Sequence, residues 1–301
     1  MLASEVIDRT LSEWLWPAGV DRAPVDILTS TMASGVAPGP GGTFTVQGIV
    51  QNIPPSSIIE VGSELILTQN FVGTTGTVAE RGWLDSVAAS HAIGDQIRVD
   101  PKYPRKTLLH HVASIVGMLE PWGLYVRGFD DAQSFSSREV KTLPTGARRI
   151  LSIAVRSTGS LENYDELVME GRDWILHRQF EPPKYLMRRG GGEGADMRVV
   201  YAKAFGVPTA ETDDLDTIGV PTTLQPYLPL GVAGFALQGK EIPRVQIEEI
   251  RRMLAAQGVQ VGSALNVGQA MLRAFRFEYV MAERARQREA DPVRFAWVRG
   301  Q

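Results

Sequence analysis

The chain reads as an α+β fold: an N-terminal helix and β-rich domain, a second β-rich region, and a C-terminal helical bundle. Two observations lead there. Short runs with a two-residue apolar period, punctuated by Gly, Pro and Asn, occupy residues 43–101 and 123–206. Apolar residues at helical spacing are instead found at the start, in one segment between the β regions, and from residue 223 onward. Strands thus cluster in sequence with helices around them.

Taken in order, Leu2, Val6, Ile7, Leu11, Trp14 and Leu15 recur at helical spacing and stop before Pro17, so residues 1–16 are expected to form a short amphipathic docking helix. Such a helix needs a surface to pack on. Residues 17–42 are rich in Ala, Gly, Pro, Ser and Thr and read as a flexible linker that lets the helix dock at a distance, even on a neighbouring subunit. Residues 43–101 form a small β domain, with runs at 44–50, 63–68, 76–80 and 96–99. A connecting helix over 102–122 carries Leu108, Leu109, Val112, Ile115, Val116 and Leu119 as one stripe and ends before Pro121.

In the second β region, 123–206, the alternation puts Leu151, Ile153 and Val155 on one face, and Met197, Val199 and Tyr201 repeat the period. Gly190, Gly191, Gly192 and Gly194 lie between the last two candidate strands, as a long hairpin tip would. Residues 207–291 read as a helical domain, with helices at 224–237, 243–257 and 261–289 and stops at Gly239, Gly258 and Asp291-Pro292. Residues 292–301 form a C-terminal tail containing Phe295 and Trp297.

Composition narrows the function classes. The chain has 301 residues, 44% apolar and 22% charged, which is that of a soluble globular protein with room for a sizeable core. Its 31 basic and 34 acidic side chains leave a net charge of −3, with no global field toward nucleic acid or an anionic membrane. With no cysteine there is neither a disulfide nor a thiolate metal site. Residues 1–16 lack the basic start and apolar run of a signal peptide, and no window is apolar enough to span a membrane. No cofactor is implied.

Candidate chemistry is sparse. His110 and His111 are adjacent on a helix and point about 100° apart, a poor arrangement for one metal. Asp85, Ser86 and His91 supply the residue types of a hydrolytic triad, but the nucleophile-elbow pattern is missing. The glycine run after Arg188 and Arg189 leads into a β pattern rather than a helix, so it reads as a mobile loop, not a phosphate cradle. Arg273, Arg276, Arg284, Arg286 and Arg288 are balanced in part by Glu278, Glu283 and Glu289, which favours a solvated face over a DNA-binding helix. A host-surface hydrolase would want a recognisable pair of acids, and none stands out. The chain is expected not to be an enzyme.

The segment 59–101 carries the most specific signal. Glu80-Arg81-Gly82, Val87-Ala88-Ala89-Ser90-His91 and Gly94-Asp95 repeat the punctuation of a module common in tailed-phage virion proteins, which this segment resembles. Trp83-Leu84-Asp85-Ser86 stands where that module usually has a glycine- and threonine-rich link. Residues 100–125, with Tyr103-Pro104-Arg105 before a helix, look like the continuation seen in some of these proteins. Tyr227-Leu228-Pro229-Leu230-Gly231-Val232-Ala233 through Lys240-Glu241-Ile242-Pro243-Arg244 is similar to the helical core of head-to-tail adaptor proteins. The resemblance implies a virion neck protein, made in the host cytoplasm, that sits below the portal as a ring of its own copies, usually a dodecamer. It would meet the portal and downstream neck or tail proteins, with DNA passing through without sequence preference and no membrane partner. Adaptors are commonly small and helical, and the large β portion departs from that, so a baseplate or tail accessory protein is the nearest alternative. The contact positions this implies are Leu2, Trp14 and Trp16 in the first helix, Arg188, Arg189 and Gly191 in the glycine loop, and Phe295 and Trp297 in the tail.

Overall fold

The computed structural model describes residues 1–15, 26–28, 42–47, 53–136, 140–155, 166–168, 174–177, 184–187, 194–238 and 264–290. Helices and antiparallel sheets share the chain, as an α+β fold requires. It divides into two compact units, each discontinuous in sequence: Met1–Ile115 with Val207–Tyr279, and Val116–Gly206 with Val280–Gln301. No described helix is long and apolar enough to cross a membrane.

In the first unit, α1 (Ala3–Arg9) continues into a π-helical turn, Thr10–Leu15, where the Thr10 hydroxyl donates to the Val6 carbonyl at 2.7 Å. The amides that open α1 have no partner within the helix. Ala3 and Ser4 donate theirs to the carbonyls of Asp213 and Glu211, at 3.0 and 2.9 Å. Ala3, Val6, Ile7, Leu11 and Leu15 are buried, and the helix and its extension pack on α3 (Leu228–Leu237). The apolar face that the sequence left seeking a surface, on a neighbour if need be, is covered by the chain's own unit.

Six strands close a barrel: β1 (Asp26–Leu28), β2 (Thr43–Gln47), β3 (Ile58–Val61), β4 (Glu64–Val72), β5 (Thr75–Arg81) and β6 (Gln96–Val99). The order is β1-β2-β5-β4-β3-β6 with β6 pairing back to β1, all antiparallel, so no edge is left open. Phe44, Val46, Ile59, Val61, Ile66, Val78 and Ile97 fill the interior. Strand β1 falls within the stretch expected to be a linker. Ile27 pairs with Gln47 on one side and Gln96 on the other, so pairing with two neighbours makes a strand out of three residues set in a Pro- and Gly-rich stretch.

Helix α2 (Arg105–Leu119) buries its expected stripe, with Leu108, Val112, Ile115, Val116 and Leu119 fully enclosed. Arg105 at its start meets Glu211 at 2.6 Å and also Asp8. Gly123, at φ +91°, ends it in a left-handed turn in which Leu124 N–H reaches the Leu119 carbonyl at 3.0 Å. Helix α3, almost wholly buried, crosses α4 (Ala264–Ala274) at Gly234 and Gly268, where a Cβ on Gly268 would lie 2.5 Å from the Gly234 carbonyl oxygen. A second π-helical turn, Phe275–Val280, follows α4. The expected helix at 243–257 lies outside the described residues.

The second unit contains β7 (Val126–Ser134), β8 (Val140–Thr142), β9 (Ala147–Val155), β10 (Glu166–Val168), β11 (Trp174–His177), β12 (Lys184–Met187), β13 (Asp196–Lys203) and α5 (Met281–Ala290). The strands form two sheets, β10-β9-β13-β7 and β11-β12-β8. Ile150, Ile153, Val155, Met197 and Val199 from the first sheet share one core with Tyr185 and Met187 from the second. Two expectations are corrected here. Strands β12 and β13, expected to flank a hairpin tip, belong to different sheets and do not pair with each other, while residues 188–193 between them lie outside the described residues. In β9 the pairing skips Leu151, since Val200 faces Ser152 and Tyr201 faces Ile150. That bulge changes the parity of the strand and buries Ile150 with Ile153, where the alternation had placed Leu151.

Candidate functional site

The residues of the 59–101 signal converge on one buried carboxylate. Val61 pairs with Glu64 across a tight turn with Gly62 at φ +57°, so Glu64 opens β4 with its side chain fully enclosed. Strand β5 ends on Arg81, whose guanidinium grips Glu64 in a fork: Nε to Oε1 at 2.9 Å and Nη2 to Oε2 at 2.7 Å. The backbone N–H of Gly82 (3.3 Å) and of Ala89 (3.0 Å) donate to the same carboxylate, and His91 Nε2 lies 2.7 Å from Oε2. Arg81 also donates to the Ala89 carbonyl. Asp95 accepts the Ala92 N–H at 2.9 Å and stands 3.7 Å from His91 Nδ1, with Gly94 supplying the left-handed turn between them.

The arrangement fastens the 82–95 loop onto the barrel. Gly82 is required at its position, since at φ +66° a Cβ would lie 2.8 Å from the Ser86 carbonyl oxygen. Trp83–Asp85 form a single turn with Leu84 at φ +54° and Asp85 at φ +60°. Two consecutive non-glycine residues in that region cost about 1–2 kcal/mol each, and the loop is held there by its attachments. Ser86 Oγ accepts the Leu65 N–H at 2.9 Å and donates to the Leu65 carbonyl at 3.3 Å. On its outer side the loop exposes Leu84, Val87 and Ile93.

Burial alone would push the Glu64 carboxyl up. The hydrogen bonds from His91, Arg81 and the Ala89 amide outweigh it and hold the group at about 2, below its ordinary 4.5. A carboxyl depressed in the fold stabilises above its unfolded value, and that contribution disappears as pH falls through the folded one. We expect the barrel to lose on the order of 3 kcal/mol between pH 4.5 and pH 2. Urea unfolding across that window should show the loss in wild type and a much smaller one in Glu64→Gln.

Chemically the site is a clasp. Glu64 stays ionised and its oxygens are occupied. His91 faces Glu64 and Asp95, while Ser86 is engaged with Leu65, so Asp85, Ser86 and His91 are not aligned as a triad. His110 is exposed, and His111 stacks on Phe235 at 5.9 Å between ring centroids. Among the described residues no three His, Asp or Glu side chains gather as a metal-holding group.

Of the expected contact positions, Leu2 makes a backbone bridge to Asp214 and leaves its side chain 40% exposed, and Trp14 is half-buried on the π-helical turn. Trp16, Arg188, Arg189, Gly191, Phe295 and Trp297 lie outside the described residues. Glu64 itself was not singled out. Its signal was a lone acid at the head of the apolar run Leu65-Ile66-Leu67, with an arginine and a histidine unassigned further on. Comparison with protein-family models, curated proteins and solved structures returns no match.

Proposed function

We propose that the chain is a structural subunit of a tailed-phage virion, a head-to-tail adaptor that joins portal and tail in a ring of its own copies through which DNA passes. The observation that carries this reading is the use to which the motif is put. Arg81, Gly82, Ala89, His91 and Asp95 are spent on pinning a strained loop, and the loop turns aliphatic side chains outward. That is the economy of an assembly module, in which rigid presentation of a surface matters and no group is left poised for chemistry. The deeply buried apolar helix α3 fits the similarity to adaptor cores at residues 227–244, which is why the neck is preferred to the baseplate. In this reading the β elements form the outer part of the ring and the helical bundle its channel wall. The outward side of residues 1–16, where Leu2 is exposed and Trp14 half-buried, and residues 188–194 and 294–301 touch neighbouring copies, the portal or the lumen.

Quantitative mass spectrometry of purified particles from a phage encoding this chain tests the proposal. The expected result is the chain in ring stoichiometry, on a par with the portal protein. Particles that infect normally and lack it would overturn the reading.

A further inference from the structure

The second unit holds a cleft of about 310 Å³ whose lining, among the described residues, is strongly cationic: Arg148, Arg149, Lys203, Arg284 and Arg288 against Glu120. The clustering runs against a chain whose net charge is −3. It also contrasts with Arg9, Arg198 and Arg286, which meet Glu13, Asp131 and Glu283 within 3 Å. Among the described residues of the lining, Arg148 alone reaches a carboxylate, that of Glu120 at 3.5 Å. Among the described residues Arg149, Lys203, Arg284 and Arg288 have no acidic partner.

The backbone is shaped to bring these cations together. In β9 the pairing passes from Arg149, opposite Ala202, to Ala147, opposite Lys203, so Arg148 is bulged out of the ladder. Neighbours on a regular strand point to opposite faces, and the bulge lets Arg148 and Arg149 line one cleft. Arg149 is steadied by the Tyr125 ring, 4.9 Å from its guanidinium. Across the cleft, α5 is fixed by Gln287, whose side-chain amide donates to the Tyr125 carbonyl at 3.0 Å. Arg284 from the same helix lies over Gly123, where a Cβ would come 2.8 Å from its Nε. Like charges gathered this way repel unless an anion joins them.

We propose that this cleft binds phosphate oxyanions, presented by a nucleic-acid backbone or by a free polyphosphate. Guanidinium forks suit phosphate geometry. Among the described residues the lining offers no exposed aromatic ring to stack on a base, Tyr125 being buried, so recognition is of phosphates without sequence preference. The proposal is made from charge and shape within one unit and does not depend on the virion reading. Failure to bind phosphate would leave that reading standing, and absence from particles would leave this one.

The test is fluorescence anisotropy of a labelled oligothymidylate with the full chain at low salt, alongside calorimetric titration with inorganic tripolyphosphate. Arg284→Glu with Arg288→Glu should weaken binding about tenfold or more, and Arg288→Gln alone should lower the salt slope by about 1. Arg286→Glu, on the same helix outside the cleft lining, should change affinity less than about twofold. Lys203→Glu, on the opposite wall, repeats the test should the helix variants melt early by circular dichroism. Oligonucleotide binding without tripolyphosphate binding assigns the site to a nucleic-acid backbone, and the converse assigns it to a free polyphosphate. No saturable binding of either probe, or an equal loss with Arg286→Glu, overturns the proposal.

Discussion

Glu64→Ala destabilises the barrel by about 3–5 kcal/mol, the cost of removing one partner from a buried ion pair. The loss follows from what remains. The side chains of Arg81 and His91 are each 7% exposed, and without the carboxylate the buried guanidinium keeps its charge and loses both arms of its fork. The Gly82 and Ala89 amides also lose their acceptor. The effect should be local before it is global, because the same group anchors a loop with two left-handed non-glycine residues. Hydrogen exchange at the Ala89 and Leu65 amides should therefore accelerate under conditions where the second unit is still protected. A urea midpoint within error of wild type, with unchanged exchange at Ala89, would show that the clasp is not what holds the loop.

Gly268→Val carries the next largest effect. A Cβ there meets the Gly234 carbonyl oxygen at 2.5 Å, and backbone cannot step aside as the end of a side chain can. Helices α3 and α4 must separate, which opens a gap along the rest of their contact, and overpacking of this kind costs about 1–3 kcal/mol. Gly117, with nothing near the site a Cβ would occupy, is the matched control: Gly117→Ala on α2 should be neutral or stabilising by helix propensity, by up to about 1 kcal/mol. Thermal unfolding followed by circular dichroism should show a lower midpoint for Gly268→Val and an unchanged or higher one for Gly117→Ala.

The parts of the fold legible in the sequence are those set by local periodicity. The α2 stripe from Leu108 to Leu119 repeats every three or four residues between Pro104 and Pro121, and it is buried as that spacing requires. Strand positions from β4 to β6 followed from Gly- and Asn-marked turns. What escaped depends on pairing between distant residues. Strand β1 exists because β2 and β6 flank it. The β9 bulge at Leu151 is decided by β13. The hairpin expected between β12 and β13 dissolved because Tyr185 and Met197 approach their common core from different sheets.

The site divides in the same way. Arg81, Gly82, His91, Gly94 and Asp95 were visible as punctuation, because their spacing within one loop is local. Glu64 was not, since its partners Arg81 and His91 lie 17 and 27 residues further along and only barrel closure brings them to it. The cationic cleft was hidden for a related reason. Arg284 and Arg288 looked balanced by glutamates on their own helix, and nothing local joins them to Arg148, Arg149 and Lys203.

Cryo-electron microscopy of intact particles, with this chain traced into the density, tests the central claim most directly. A closed ring of copies between portal and tail is the expected result, with the loop bearing Leu84, Val87 and Ile93 buried against a neighbouring subunit. Density for the chain only at the distal tip of the tail, or that loop facing solvent in every copy, would contradict it.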